Sequence, residues 1–270
     1  TRHDPVQILW QKRAFSHVDK ESSPIDAEEV SQAMISFLQE RGEQVHFLHL
    51  QAAGLAAMVE NQNLHWQDDR LAKVNTAILN SLGGPQFVHH SESKNPETGL
   101  WGLSEWNAER ESLPDRVEIF IVRYLQKNPA AQLRDLETDL NVELTGLLTP
   151  SLGLMRAVLT SYALETEGSW SLRPEDQASS RRADLEEAAT ALTALAARLG
   201  FSLERNESPQ RLILWHDSGK AAYAFYLLAS AMAGRILRQN PNPAELSLLV
   251  LPGGRSGLLA YKLNRDPGLR

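Results

Sequence analysis

The feature that most constrains this 270-residue chain is a pattern of apolar residues that occurs twice, in the same order. Each copy contains three stretches with the apolar spacing of an amphipathic helix, followed by two short apolar runs around a polar tip. Val30, Met34 and Leu38 form the first helical stripe, which Gly42 ends. Because three helices followed by a hairpin are the elements of a winged helix, the sequence predicts two winged helices in tandem.

The same pattern sets the predicted domain boundaries. Residues 1–24 are a lead-in segment or linker, residues 25–110 the first winged helix and residues 111–178 the second. Residues 179–270 form a different unit with the predicted element order αβββαβα, in which the apolar run 246–251 is expected to be a strand buried on both faces. The predicted fold class is therefore α+β multidomain, with two tandem winged helices followed by a small mixed domain.

Composition limits the chemistry that the chain can support. Apolar residues make up 42% and charged residues 23%, as in ordinary globular proteins. The absence of cysteine excludes disulfides, thiolate metal sites and a cysteine nucleophile. Neither a membrane-spanning apolar run nor a signal-peptide core is recognisable. We therefore expect a cytoplasmic protein with no cofactor and no membrane partner. Because it begins with Thr1, we also expect a piece of a longer protein, whose upstream domain would be one of its partners.

The net charge of −7 conceals an uneven distribution. Residues 208–270 carry 8 basic and 3 acidic side chains, whereas residues 21–113 carry 5 and 14. A basic end on an acidic body can steer a polyanion to one face. The alternative is a solvated surface with an uneven composition.

Part of the first copy resembles a known family. Residues 35–47 (ISFLQERGEQVHF) resemble the first helix and turn of HARE-type helix-turn-helix domains, and residues 99–106 (GLWGLSEW) resemble the wing and exit of that family. The similarity covers about 80 residues. Such domains occur in restriction endonucleases, chromatin proteins and an RNA polymerase subunit. The second copy resembles a generic winged helix in architecture only.

The element order of residues 181–270 is similar to that of the restriction-endonuclease-like, PD-(D/E)XK fold. The resemblance implies an acid on one central strand and a (D/E)-x-K motif on the next, where carboxylates hold Mg²⁺ and the lysine polarises the attacking water. The predicted strand 221–229 has neither an acid nor a lysine, so we expect the nuclease centre and its metal to be lost. The alternative is an active Mg²⁺-dependent nuclease with displaced catalytic residues, for which the candidates are Glu186, Glu187, Asp217 and Lys220.

DNA contact is the function that these patterns favour. The third helix and wing of the first copy offer the basic and amide side chains that read a major groove, and the C-terminal segment offers cations for phosphates. The candidate residues are Arg70, Lys73, Asn75, Thr76, Lys94, Arg255, Lys262 and Arg265. They predict a non-catalytic DNA-interacting module of a prokaryotic DNA-processing or restriction/defence protein. A protein-interaction scaffold that uses the winged helices as docking surfaces is the other alternative.

Overall fold

The computed structural model describes residues 27–60, 68–107, 110–206, 211–239 and 243–266. Within these ranges the protein is α+β, with nine α-helices and three small sheets. The predicted α+β class is confirmed. The elements fall into an N-terminal unit, a middle unit and a C-terminal sheet unit, which follow one another along the chain.

The N-terminal unit consists of three helices and a hairpin. Its elements are α1 (Ala27–Arg41), α2 (Phe47–Glu60), α3 (Asp68–Leu82), β1 (Phe87–His90) and β2 (Leu100–Leu103). The apolar stripe of α1 faces inward, since Val30, Met34 and Leu38 are fully buried. Between α1 and α2, Val45 forms an antiparallel bridge with Trp101 of β2. This bridge ties the α1–α2 turn to the hairpin.

The middle unit repeats this arrangement. Its elements are α4 (Leu113–Lys127), β3 (Ala131–Gln132), α5 (Leu133–Glu143), α6 (Leu152–Tyr162), β4 (Ala163–Thr166) and β5 (Ser169–Leu172). The side chain of Ser112 caps α4, and Pro114 occupies its first turn, where a missing N–H costs nothing. The short β3 again lies between the first two helices and pairs with the second hairpin strand, in the order β3-β5-β4. The repeated sequence pattern therefore corresponds to a repeated topology.

The C-terminal sheet unit has the predicted order αβββαβα. Its elements are α7 (Ala178–Leu199), β6 (Ser202–Asn206), β7 (Arg211–Asp217), β8 (Lys220–Leu227), α8 (Gly234–Gln239), β9 (Leu246–Val250) and α9 (Ser256–Arg265). Strands β6, β7 and β8 form an antiparallel meander, and β9 pairs in parallel with β8. Ser218 and Gly219 join β7 to β8 with φ angles of 50° and 82°, the left-handed backbone that a two-residue hairpin turn requires.

One expectation for this unit is wrong. The run at β9 was expected to be buried on both faces, but Leu246 is 50% exposed and Leu248 36% exposed. The reason is the strand order β6-β7-β8-β9, which places β9 at an edge of the sheet. An uninterrupted apolar run therefore does not distinguish a central strand from an edge strand.

Helix α9 packs on the middle unit, although it follows the sheet unit in the chain. Leu258 of α9 is 2% exposed and belongs to the same buried cluster as Val158 and Leu159 of α6. Ala231, from the segment after β8, joins that cluster too. The predicted boundary after residue 178 therefore crosses a shared core.

A buried charge cluster accompanies this apolar contact. The Lys262 Nζ atom of α9 donates to Asp115 Oδ1 at 2.6 Å and to Glu118 Oε2, both on α4. The other carboxylate oxygen of Glu118 accepts from the Tyr162 hydroxyl and from the backbone N–H of Ala231 at 2.9 Å. Burial raises the pKa of Tyr162, and the charge of Glu118 raises it further, so the hydroxyl remains protonated and donates. These contacts join α4, α6, α9 and the segment after β8.

We expect Lys262→Met to reduce the free energy of unfolding by about 3–5 kcal/mol, because it leaves two buried carboxylates without their cation. Urea unfolding followed by far-ultraviolet circular dichroism measures this change. The control is Lys220→Met, which alters an exposed lysine at the β7–β8 turn and should change stability by less than about 0.5 kcal/mol. Equal stabilities of the two variants would show that the cluster does not hold α9 in place.

Candidate functional site

Helix α3 presents part of the predicted DNA-contact set to solvent. Lys73 and Thr76 are exposed, and the Thr76 hydroxyl donates to the Ala72 carbonyl one turn earlier at 2.9 Å. Asn75 is half-buried, and its Oδ1 accepts a hydrogen bond from the Gln51 side chain of α2 at 3.1 Å. Arg70 lies on α3, but its side chain is outside the described part of the structure. The outward face of α3 thus carries Lys73 and Thr76, while Asn75 is braced against α2.

The tip of the β1–β2 hairpin is held by short-range hydrogen bonds. The backbone N–H of Ser93 donates to the Ser91 hydroxyl, and that of Asn95 donates to the Ser93 hydroxyl, each at 3.1 Å. Lys94 is exposed between them. Close to the tip, at the cross-strand pair that precedes His90 and Leu100, the His89 ring stacks on Trp101 with ring centroids 4.2 Å apart. The structure therefore places Lys94 on an ordered, outward-facing turn.

The structure corrects the expectation for Arg255. This side chain is completely buried. Its guanidinium donates to the Asp176 carboxylate and to the carbonyl of Ser161, and it lies over the Tyr162 ring at 3.4 Å from the centroid. A guanidinium in this position cannot reach a phosphate, because its donors are turned inward.

Lys262 needs the same correction. It is only 5% exposed and lies within the cluster of Asp115 and Glu118. Arg265 is partly accessible, with 30% of its side chain exposed, but its Nη2 atom lies 3.2 Å from Glu43 Oε1. Of the predicted C-terminal phosphate contacts, two are therefore internal and the third already has a carboxylate partner.

These contacts explain the uneven charge of the sequence. Basic residues late in the chain pair with acidic residues that are mostly early in it. The internal ion pairs among the described residues are Arg255 and Arg181 with Asp176, Lys262 with Asp115 and Glu118, Arg265 and Arg41 with Glu43, and Arg238 with Asp266. Six cations and five carboxylates take part, so the acidic excess of the chain belongs to the remaining side chains. Four basic residues of the C-terminal segment therefore neutralise carboxylates inside the protein.

The four candidates for a displaced nuclease centre are not brought together. Glu186 of α7 pairs with Arg211 at 2.9 Å, at the first residue of β7. Asp217 is the last residue of β7, about 20 Å further along at the usual rise per residue. Asp217 and Lys220 are exposed at the hairpin turn, and Glu187 lines a groove beside α7. Among the described residues, no group of three or more histidine or acidic side chains could hold a metal ion.

The charged interior was missed by the sequence analysis, although one signal pointed to it. Glu118 precedes Ile121 by three residues and Leu125 by seven, so it lies on the apolar face of α4, where an ionised side chain needs a partner. Nothing comparable marked Arg255 or Asp176, because both lie in turn-rich segments. The short strand pairings of Val45 and of β3 also left no recognisable pattern.

The comparisons add no family. The sequence matches no model of a known protein family, and no curated protein matches it. Within the described ranges, no helix has both the length and the apolar character needed to cross a membrane.

Below neutral pH, the stability of the folded protein should depend on the protonation of His49 in α2. Its Nδ1 atom is buried without a hydrogen-bond partner among the described residues. Burial lowers the pKa of His49 below 6.5, and the nearby charges of Arg41 and His46 lower it further. The unfolded chain therefore binds a proton at this residue before the folded protein does, so stability falls as the pH drops from the unfolded pKa near 6.5 towards the lower folded pKa.

We expect His49→Gln to lose less stability than the wild type between pH 7.5 and pH 5, with a slope difference of at most about 1.4 kcal/mol per pH unit. Urea unfolding at a series of pH values measures the two profiles. Parallel profiles would contradict the assignment of this proton to His49.

Proposed function

We propose that the protein is a non-catalytic module that contacts DNA through its N-terminal unit. In this proposal the unit is a winged helix, α3 enters the major groove, and the hairpin tip contacts the backbone. The observation that carries the proposal is the joint exposure of Lys73 and Thr76 on α3 and of Lys94 on the hairpin tip. The bridge between Val45 and β2, which completes a small three-stranded arrangement, supports the winged-helix assignment.

The middle unit has a different role in the proposal. It shares the topology of the N-terminal unit, but its third helix, α6, packs against α9. The outer face of α5 is acidic, since Asp135, Glu137, Asp139 and Glu143 are all exposed. These carboxylates repel phosphates. The middle unit is therefore proposed to be a structural or protein-contacting winged helix.

The sheet unit is proposed to be a restriction-endonuclease-like domain without its active centre. The antiparallel meander β6-β7-β8, followed by α8 and the parallel strand β9, supports the fold assignment. The separation of Glu186 from Asp217 along β7 supports the absence of catalysis. The three units together would form part of a prokaryotic DNA-processing or restriction/defence protein.

The double variant Lys73→Glu, Lys94→Glu should bind duplex DNA more weakly than the wild type at low salt. If both lysines contact phosphates, the logarithmic salt dependence should decrease by about 1 for each contact. Fluorescence anisotropy of a labelled duplex, recorded over a series of salt concentrations, measures both quantities. The matched control combines Arg156→Glu on α6 with Lys220→Glu at the β7–β8 turn, because these residues are also exposed and the charge change is the same. An equal loss in the control would mean that overall charge, not this surface, governs binding.

Incubation of a labelled duplex with the protein and Mg²⁺ should leave the DNA intact, because the candidate carboxylates do not converge. Gel electrophoresis of the products checks this outcome. Cleavage by the wild type that is lost in Asp217→Ala would contradict the proposal and establish the displaced nuclease.

A protein-interaction scaffold is the second candidate, and the surface of α5 favours it. Val142 is 74% exposed beside the acidic side chains of this helix. A basic, partly apolar protein surface would complement such a face. Absence of DNA binding even at low salt would favour this function over the first.

A further inference from the structure

A cleft that contains three arginines lies between the start of the middle unit and the sheet unit, and none of its lining residues belongs to α3 or the hairpin tip. It has a volume of about 250 Å³. Its lining residues come from the segment before α4, from the first turn of α4, from the segment after β8 and from α8. Those that matter here are Arg110, Ser112, Ser230, Arg235, Arg238 and Glu111. We call it the arginine cleft.

Arg238 is the fixed cation of the arginine cleft. Its Nη2 atom donates to the Gly42 carbonyl at 2.5 Å and to Asp266 Oδ2 at 2.7 Å. The guanidinium also lies over the Trp106 ring, 5.0 Å from its centroid. These contacts hold the side chain in place, yet they leave the Nε and Nη1 donors without a partner among the described residues. Because Asp266 pairs with this guanidinium, Arg238 offers a ligand two oriented N–H donors, and the uncompensated positive charge of the cleft comes from other arginines.

Arg235 is the unpaired cation. It lies one turn before Arg238 on α8, so both side chains can reach the same cavity. It is exposed and has no hydrogen bond or ion pair in the described part of the chain. Most buried arginines of the described residues have a carboxylate partner, whereas Arg235 has none. Because Arg235 lines the cleft, its guanidinium is available to an external anion.

Further positive charge lies on the opposite wall. Arg110 has only a long contact to a carboxylate, with its Nη2 atom 3.6 Å from Glu40 Oε1. Burial lowers the pKa of the neighbouring Arg116, the charge of Arg110 lowers it further, and the charges of Glu40 and Glu111 act in the opposite direction. Glu111 is the lining carboxylate that opposes the positive charge of these arginines, because Asp115, the other acidic lining residue, is already bound to Lys262.

We propose that the arginine cleft binds a phosphate group, carried either by a free nucleotide or by the end of a nucleic-acid strand. Guanidinium groups with free donors, flanked by the hydroxyls of Ser112 and Ser230, are the groups that proteins use to bind phosphate oxygens. The volume admits a phosphate with part of its sugar and excludes a duplex. The inference does not rest on the proposed DNA contact, because it uses none of the residues of α3 or the hairpin tip.

The test is isothermal titration calorimetry of the folded protein with three probes. These are adenosine monophosphate, a short single-stranded oligonucleotide with a 5′-phosphate, and the same oligonucleotide with a 5′-hydroxyl. Arg235→Ala should weaken the binding of the phosphorylated probes at least about tenfold, because a charge-assisted hydrogen bond is lost. Glu111→Gln should strengthen it, since it removes the opposing charge. The matched control, Arg182→Ala, removes an exposed arginine on α7 and should leave binding unchanged.

The outcomes separate the two sources of the phosphate. Preference for the monophosphate identifies a nucleotide site, and preference for the 5′-phosphorylated strand over the 5′-hydroxyl strand identifies a strand end. Binding of neither phosphorylated probe to the wild type overturns the proposal. So does equal binding by wild type and Arg235→Ala. Because Lys73→Glu, Lys94→Glu leaves the cleft intact, that variant should retain phosphate binding even if duplex binding fails.

Discussion

The arrangement of the described units depends on how the protein satisfies buried charge, above all at Lys262. An ammonium group and two carboxylates removed from water are tolerated only while they remain paired. Both oxygens of Glu118 are used, one by Lys262 and the other by the Tyr162 hydroxyl and the Ala231 amide. If helix α9 separated from α4, Asp115 and Glu118 would lose their cation and Lys262 would lose both carboxylates. The cluster therefore joins the middle unit to a helix that comes from the far end of the chain.

The turn between α1 and α2 plays a similar part for the N-terminal unit. Gly42 has a φ of 67°, and a Cβ atom there would lie 2.8 Å from the Cα of Ser112, so only glycine fits. Its carbonyl accepts from Arg238, and the adjacent Glu43 binds both Arg41 and Arg265. Backbone and side-chain contacts at this one turn thus connect the first unit to the middle and sheet units. They also place Arg238 at the wall of the arginine cleft.

The internal ion pairs reduce the ability of the surface to bind a polyanion. Their cations neutralise carboxylates inside the protein, and the exterior keeps the acidic excess. Any contact with nucleic acid then depends on a few exposed groups, such as Lys73 and Lys94, or on a concave site where arginines such as Arg235 are concentrated. Such local contacts favour a small footprint over extended coating of a polyanion. The acidic face of α5 would repel a nucleic acid from the middle unit.

The amino-acid sequence by itself determined the local structure: the apolar period placed the helices, and turn residues such as Ser218 and Gly219 placed the hairpins. It determined these because helix periodicity and turn geometry depend on neighbours a few residues apart. Only the tertiary structure decided that β9 is an edge strand, that α9 joins the middle unit, and that Arg255 and Lys262 point inward. Those outcomes depend on partners such as Asp176 and Asp115, 79 and 147 residues away, and no local pattern records which distant carboxylate a cation will meet.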